Sequence, residues 1–510
     1  MKLSQKKQKF TNILLLLSLL AAGFGVALFD PLVYLFPNQE HFLTNTYFAF
    51  PCLLFFCTLF MQPLSGPAKR ALALSFITIL WFAAVQRQYL RLDMGTYPIS
   101  LFAIAYLIAF PFAAVTDKSV RKASMKWLGI LYIAASGLLI LFTVLLLLDL
   151  VPEVLIPRIY WDGARLHASW HPNIGSNIMM TAIGFVLYFL TQENTRQKKI
   201  LLALLAAVQF CVLSLTHSRA ATLLACALMG GTVFFIIWKG GWKRFLAGAA
   251  AAVVVIAATY LFSDSLFSFH ASVRNVPVAV QPPAESPQPV PQETIIPEEF
   301  TTPAPAETTL PVPVETTLPA VEETTLPVPE ETLQPLPEET LPLVSAEDAG
   351  NHTVNNPQGT LLNDIWTLNN RSLIWKAAFT AMRDNPDLRI WGTKNVGTEI
   401  SYRFGLPIAH AHNSWIQTRM ELGIPGLLLA LLYTGIALIR CAWILLCRKA
   451  DPGKKVIALL VLCIMAAGFL EPFLFVGDIS TMFANFLFFF LTGFLGHWCR
   501  ELYGRKPANR

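Results

Sequence analysis

Charged residues are scarce in this sequence. Asp, Glu, Lys and Arg make up only 14% of the 510 residues, whereas 55% are hydrophobic, and the mean hydropathy is +0.53. Soluble globular domains carry about 25% charged residues, so the composition excludes an ordinary soluble protein. The eight cysteines all lie in apolar runs or at the ends of such runs, which excludes a disulfide framework.

Long apolar runs take the place of the missing charge. About 20 apolar residues in a helix cross a hydrocarbon core of about 30 Å. Twelve runs approach or exceed that length, namely residues 11–29, 47–62, 71–86, 98–116, 127–149, 174–190, 200–216, 220–238, 245–263, 424–447, 456–475 and 479–498. The sequence therefore predicts an all-α polytopic membrane protein with about twelve transmembrane helices.

The distribution of Lys and Arg predicts the orientation, because basic loops stay in the cytoplasm. With the N-terminus inside, the basic segments 118–126, 196–199, 239–244, 448–455 and 500–510 are also inside. Both termini are then cytoplasmic, and residues 264–412 form one large extracytoplasmic loop before the last three helices. The net charge of +6 thus reflects orientation in the bilayer and not binding to nucleic acid.

Three parts follow from this topology. Residues 1–263 hold the first nine transmembrane helices, residues 264–412 form the extracytoplasmic loop, and residues 413–510 hold an interfacial helix and the last three transmembrane helices. Within the loop, residues 276–345 are rich in Pro, Thr and Glu and repeat the motif ETTLP from Glu307, Glu315 and Glu323. Dense proline prevents helix and sheet formation, which predicts a disordered spacer. A partner-binding repeat or a glycosylated tract is the alternative.

The remainder of the loop, residues 369–412, is predicted to be ordered and helical. A helical pattern starts after Asn370 with Arg371 in its first turn, where a cation opposes the helix dipole, and it stops at Asn385 and Pro386. Ser414 and Gln417 resemble a capping box, which predicts a short helix from Ser414 to Leu422. His412 would then precede a helix N-terminus, an environment that attracts phosphate and disfavours a charged imidazole.

A metal site is the first interpretation to test, because His167, His171, His217, His410 and His412 all fall on the predicted outer side. However, no cysteine joins them and no HExxH pattern occurs. In addition, we expect the two rings of the HAH motif at 410–412 to share one side only in a strand. The sequence therefore predicts no metal and no other cofactor, and His410 is interpreted as a structural neighbour of His412.

Arginines on the predicted outer side favour an anionic substrate. Arg219 lies where two apolar runs meet, and burying a guanidinium near the hydrocarbon core is costly unless an anion compensates. The alternative is a boundary arginine that reaches towards water. Two arginines, an uncharged histidine and a large apolar body fit a lipid-linked diphosphate: the arginines would bind the diphosphate, and the histidine would accept a proton from an attacking hydroxyl.

At these residues the sequence resembles the superfamily of O-antigen ligases and polymerases, which are bacterial membrane glycosyltransferases. The resemblance is carried by RLHASWHPN (165–173), LSLTHSRAA (213–221), NRSLIWKAA (370–378) and HAHNSWIQTRMELGIPG (410–426). It implies metal-independent transfer of a glycan from undecaprenyl diphosphate, outside the cytoplasmic (inner) membrane of a bacterium. It also implies that Arg219, Arg371 and His412 are catalytic and that Arg165, Asn173, Asn413 and Glu421 bind substrate. An alternative for Asn173 is a cap of the following helix.

The resemblance leaves the acceptor open. A ligase would transfer the glycan to a lipid, a cell-wall polymer or a protein, whereas a polymerase would join it to another lipid-linked repeat unit. We favour the ligase slightly. A transporter or flippase for lipid-linked glycans is the alternative from another class, but it would carry ionisable residues inside its apolar runs or two related halves, and neither pattern stands out in the sequence.

Overall fold

A computed structural model describes residues 5–35, 40–61, 64–89, 104–151, 160–162, 165–167, 172–238, 240–273, 371–393, 396–404, 408, 410–475 and 482–504. The predicted spacer at 276–345 lies outside these residues, as does the proposed cap Asn370. The described residues are overwhelmingly helical, and the β-structure among them is one antiparallel hairpin.

The helices follow the apolar runs, although their ends differ from the ends of the runs by up to ten residues. In chain order they are α1 Gln5–Leu35, α2 Glu40–Leu59, α3 Gly66–Tyr89, a π-helical segment Ile104–Ala109 that continues as α4 Phe110–Val115, α5 Lys118–Leu147, α6 Pro172–Gln192, α7 Arg196–Leu215, α8 Arg219–Ile237, α9 Trp242–Val273, α10 Arg371–Asp384, α11 Pro386–Ile390, α12 Val396–Phe404, α13 Ser414–Leu446, α14 Pro452–Leu470 and α15 Met482–Gly504. The hairpin strands are β1 Tyr160–Asp162 and β2 Arg165–His167.

The prediction of an all-α polytopic membrane protein is confirmed. Within the described ranges, ten helices are long and apolar enough to cross a membrane, and two shorter apolar helical stretches lie at Phe50–Leu59 and Ile104–Val115. These twelve elements coincide with the twelve predicted runs. One of the larger differences is at α9, which continues ten residues past the predicted boundary at 263.

The last helix, α15, forms the centre of the bundle. It is the most enclosed of the ten long spans that the described ranges contain, whereas α9 is the most exposed. Around α15, aromatic rings interlock: the Tyr433 ring of α13 lies 5.0 Å from both Phe110 and Phe489, and Tyr106 lies 4.3 Å from Phe489. Such packed rings hold α13 firmly against α4 and α15, which fixes the helix that begins next to His412.

Helices α10 to α12 form a small helical cluster with its own apolar core. The predicted helix at Arg371 is confirmed, and its core-facing residues recur at helical spacing as Ile374, Ala378 and Ala381. Asn385 ends this helix and caps α11 by accepting a hydrogen bond from the Asp387 N–H at 3.1 Å. The cluster therefore presents Arg371 from a rigid helix start.

The α10–α12 cluster is joined to α13 where that helix is kinked. Gly423 has φ +67° inside α13, and Gly392 after α11 has φ +78°. A Cβ on Gly423 would collide with the carbonyl of Ile390, and a Cβ on Gly392 would approach the Met420 oxygen to 2.6 Å. Close by, the Trp391 ring stacks on Trp81 at 5.7 Å. The predicted interruption at Gly423 is thus confirmed as a kink that lets the two backbones meet.

We expect Gly423→Ala to destabilise the protein. A non-glycine residue at this φ costs about 1–3 kcal/mol, and the added Cβ also strikes the Ile390 backbone. The measurement is the thermal unfolding midpoint of the purified protein in detergent. Gly435→Ala is the matched control in the same helix, because its Cβ would meet no atom within 4 Å. Equal midpoints for the two variants would contradict the proposed backbone contact.

Candidate functional site

The carboxylate of Glu471, directly after α14, is the hub of a buried polar cluster. Its Oε1 accepts hydrogen bonds from Arg371 Nη2 at 2.9 Å and from Asn173 Nδ2 at 2.8 Å. Its Oε2 lies 3.1 Å from His412 Nδ1. Glu471 therefore contacts residues of α6 and α10 and the residue two positions before α13. The most distant of them in the sequence, Asn173, is 298 positions away from Glu471.

Asn173 extends the cluster to the hairpin and to the turn between α7 and α8. Its Oδ1 accepts from Arg165 Nη2 at 3.3 Å and from Ser218 Oγ at 3.1 Å. Arg165 is held further by a 2.9 Å hydrogen bond from its Nε to the Thr216 carbonyl. The Asn173 side chain thus links Glu471 to Arg165 and to the residue before Arg219.

Electrostatics make the Glu471 carboxyl an anion. Burial alone raises its pKa, but the hydrogen bond and the charge of His412 and the charge of Arg371 outweigh burial, so the pKa lies below its ordinary value. An ionised carboxylate only accepts hydrogen bonds. His412 Nδ1 must therefore carry the proton shared with Glu471, and in the neutral imidazole the lone pair is then on Nε2.

The backbone at His412 has an unusual conformation with φ +48°. The next residue, Asn413, is the N-cap of α13 and accepts hydrogen bonds from the N–H groups of Trp415 and Ile416, both at 3.0 Å. The prediction that His412 precedes a helix start is confirmed, but the capping box was wrong. Ser414 instead bonds to the backbone of Glu471 and Leu474, since the loop after α14 folds against this helix start.

Gln417 and Glu421 support the histidine loop from the first turns of α13. Gln417 Oε1 accepts from the Ala411 N–H at 2.8 Å, and its Nε2 donates to Glu421 Oε1 at 2.5 Å. The role predicted for Glu421, substrate binding, stays a prediction. Its described contact is to the residue that holds Ala411 in place.

Arg219 is the first residue of α8 and lies next to Ser218. Its guanidinium is within electrostatic range of Tyr260 and Asp264 on α9. Burial, together with the charges of Arg219 and Arg165, lowers the pKa of the neighbouring His217 to about 4. Both arginines therefore lie near the His217 ring, which also stacks on Phe267 of α9 at 3.7 Å.

His410 lies closer to His412 than the sequence suggested. The two ring centroids are 4.1 Å apart and the rings are inclined by 61°. The expectation that an HxH motif brings its rings together only in a strand is wrong here, because the left-handed backbone at His412 turns its side chain towards His410. Ring nitrogens of both histidines and a carboxylate oxygen of Glu471 all lie within 4.8 Å of one another.

An apolar groove lies in the bundle below the Arg219 region. Its volume is about 390 Å³, and α6, α7, α8 and α9 line it with aliphatic and aromatic side chains. On α9, Thr259 and Phe262 line the groove. Tyr260 and Asp264, in the same two turns of α9, interact electrostatically with the Arg219 guanidinium. The groove and the arginine are therefore neighbours along α9.

The structure brings most of the predicted site residues together. Hydrogen bonds join four of them: Arg165, Asn173, Arg371 and His412. Asn413 caps the helix beside them. Arg219 directly follows Ser218, which belongs to the same hydrogen-bond network. Sequence reasoning missed Glu471. The signal was available, because it is the only charged residue in the apolar run 456–475, and an ionisable residue in such a run indicates a functional site.

The fold and the site define a polytopic membrane protein with an arginine- and histidine-containing site at one face of its helix bundle. The sequence model of the O-antigen ligase family matches residues 201–431, a range that contains Arg219, Arg371, His412, Asn413 and Glu421. This match supports membership of the chain in the O-antigen ligase superfamily. This membership supports an O-antigen ligase- or polymerase-type function, with lipid-linked glycans as the substrate class. No curated protein matches the chain.

Proposed function

We propose that this protein is an O-antigen ligase-like glycosyltransferase that works without a metal ion at the extracytoplasmic face of the cytoplasmic membrane. The donor is a glycan on undecaprenyl diphosphate, and the acceptor offers a hydroxyl group. The observation that carries the proposal is the Glu471 hub, which brings Arg371 and His412 to one carboxylate. In this proposal Arg371 is a cation that binds the diphosphate, and His412 is a base whose tautomer is set by its contact with Glu471.

The charges of the cluster favour an anionic substrate. Three cations, Arg165, Arg219 and Arg371, lie at the cluster and the adjoining turn, whereas the carboxylates described beside them are two: Glu471 next to Arg371, and Asp264 near Arg219. A planar guanidinium binds phosphate oxygens in a bidentate manner. We assign Arg219 and Arg371 to the diphosphate, where they stabilise the charge that develops on the leaving group. The groove of about 390 Å³ along α9 would hold part of the polyprenyl tail.

His412 is assigned as the general base. The acceptor hydroxyl oxygen attacks the anomeric carbon of the donor sugar, and its proton passes to His412 Nε2. The bond from the anomeric carbon to the phosphate oxygen breaks, and undecaprenyl diphosphate leaves with that electron pair. Glu471 acts as a positioning residue, because its contact with Nδ1 keeps the lone pair on Nε2.

Ligase chemistry is favoured slightly over polymerase chemistry, and both use the same donor and the same three catalytic groups. The two differ only in whether the acceptor is a lipid, cell-wall polymer or protein, or a second lipid-linked repeat unit. A transporter remains the alternative of another class. The described spans contain ionisable groups such as the buried Lys455 and the half-buried Arg440, but these do not belong to the Glu471 cluster.

The direct test is transfer by the purified protein in detergent, where transport is not possible. Glycosylated undecaprenyl diphosphate is the donor, and mass spectrometry follows the acceptor-linked glycan and the released lipid diphosphate. Comparing glycoconjugates from cells with and without the protein identifies the natural donor and acceptor for this assay. A protein that moves lipid-linked glycan across vesicles but never joins it to an acceptor would support the transporter instead.

We expect EDTA to leave the transfer rate unchanged. Arginines replace a divalent cation as the partners of the diphosphate in the proposed mechanism, so removing metal ions takes no group from the reaction. The measurement is the initial rate before and after EDTA treatment, with and without added Mg²⁺. Loss of activity with EDTA and recovery with a divalent cation would contradict metal-independent transfer.

We expect Glu471→Gln to lower the transfer rate by about 10²- to 10⁴-fold, since loss of an orienting carboxylate in serine proteases costs about 10⁴-fold through the wrong histidine tautomer. The loss should appear mainly in kcat, because a wrong tautomer impairs transfer of the proton and not binding of the donor. Glu193→Gln is the matched control, because Glu193 is remote from the cluster and bonds to the N–H groups of Asn194 and Thr195. A loss that appears only in the KM for the donor would reduce Glu471 to a structural role.

A further inference from the structure

The side chains of His410, His412 and Glu471 form a possible metal-ligand set, of which the proposed reaction uses His412 and Glu471 but not His410. One ligand atom from each residue lies within 4.8 Å of the others. Two histidines and a glutamate are a recurrent protein ligand set for zinc, in which the metal–ligand distances are about 2.0–2.2 Å. We propose that these residues bind Zn²⁺ or a similar transition metal as an inhibitory ion.

The geometry at His412 is close to that of a tetrahedral site. Ligand atoms at about 2.05 Å from a tetrahedral ion are about 3.3 Å apart, and His412 Nδ1 lies 3.1 Å from Glu471 Oε2. A small separation of this pair lets a metal ion take the place of the shared proton. His410 is the third ligand, and its ring already packs against the His412 ring. A water molecule would fill the fourth position.

Metal binding at this position would switch off the base. A neutral imidazole that binds an ion through Nδ1 carries its proton on Nε2, so the proton that now lies between Nδ1 and Glu471 moves to the other ring nitrogen. Nε2 then has no lone pair for the proton of the acceptor hydroxyl. This inhibitory consequence rests on the proposed function, whereas the binding of the ion does not.

The charge near the cluster limits how tightly a metal ion binds, and the ligand types limit which metal ion binds. Arg371 donates to the same carboxylate through Oε1 at 2.9 Å, which opposes a second cation. Imidazole ligands favour Zn²⁺, Ni²⁺ and Cu²⁺, whereas Mg²⁺ and Ca²⁺ prefer oxygen ligands and higher coordination numbers. The site should therefore take transition metals and ignore Mg²⁺.

The experiment measures Zn²⁺ binding to the full-length protein in detergent, purified without a polyhistidine tag and stripped with EDTA. Competition with a chromogenic zinc indicator should give one Zn²⁺ per chain, and Mg²⁺ should not displace it. His410→Ala should weaken binding by at least about tenfold. Even the loss of an outer-shell partner can weaken metal binding by that factor, and His410 is proposed as a direct ligand. Arg371→Gln should tighten it, because the competing cation is gone. His497→Ala, a histidine in α15, should leave it unchanged.

Thermal unfolding midpoints show whether each variant is folded. The proposal is overturned if the wild-type protein binds no Zn²⁺ at millimolar concentration, or if folded His410→Ala binds as tightly as wild type. Transfer assays add a separate test, in which each variant is compared with its own metal-free rate. Zinc binding without inhibition would support the metal site but contradict the role of His412 as the base. The metal site and the proposed mechanism can therefore be refuted separately.

Discussion

His412→Ala should lower the rate of glycan transfer by about 10²- to 10⁴-fold, the usual contribution of a general base. The physical reason is that the contact of His412 Nδ1 with Glu471 leaves Nε2 to accept the proton of the acceptor hydroxyl, and alanine has no such nitrogen. The measurement is the initial rate with saturating donor and acceptor.

The control for this result is His497→Ala, because His497 lies on α15 away from the Glu471 cluster. His412→Gln serves as a second variant that keeps a polar side chain beside Glu471. His412→Ala and His412→Gln should retain the wild-type unfolding midpoint to within a few degrees if their folds are intact. A His412 variant that transfers glycan at the wild-type rate would remove the imidazole from the mechanism.

Arg219→Ala should lower transfer by about 10²- to 10³-fold, as the loss of one donor to a developing negative charge does in other enzymes. Arg219 is a sharper probe than Arg371, because Arg371 also forms a 2.9 Å salt bridge with Glu471, and its removal disturbs the hub. Arg219→Lys keeps the charge but loses the bidentate geometry, so we expect it to recover only part of the rate. The measurement is the transfer rate at several donor concentrations.

Arg383→Ala provides the matched control, since the Arg383 side chain is 73% exposed and pairs only locally with Asp384. We expect it to transfer glycan like the wild type. Arg371→Ala should lower the rate as strongly as Arg219→Ala and should also lower the unfolding midpoint, because a buried carboxylate loses its cation. If Arg219→Ala and Arg383→Ala had equal rates, Arg219 would only mark the membrane boundary.

Much of the fold could be predicted because hydrophobic periodicity and length are local properties. The twelve apolar runs became twelve helical elements, and the helix at Arg371 and the kink at Gly423 lie where the sequence places them. Helix caps were less predictable. Ser414 looked like a cap, but Asn413 takes that role since Ser414 is used by the loop after α14.

The site could be predicted only in part, because its centre is a long-range contact. Glu471 contacts Asn173, which is 298 positions away in the sequence, and no local sequence pattern predicts such a contact. The approach of His410 to His412 depends on one left-handed backbone conformation at a non-glycine residue, which sequence patterns do not predict. A cation in the first turn of a helix opposes the dipole, and the structure supplies a partner for Arg371, the carboxylate of Glu471 directly after α14.

The most direct test of the central claim is a single-turnover reaction with purified protein in detergent. Glycosylated undecaprenyl diphosphate and an acceptor identified from cells are mixed with wild-type protein, Arg219→Ala and His412→Ala. We predict that wild-type protein forms the glycosylated acceptor and releases one undecaprenyl diphosphate for each product, while both variants form almost none. Equal product from the folded variants would contradict a site in which arginines hold the diphosphate and His412 takes the proton.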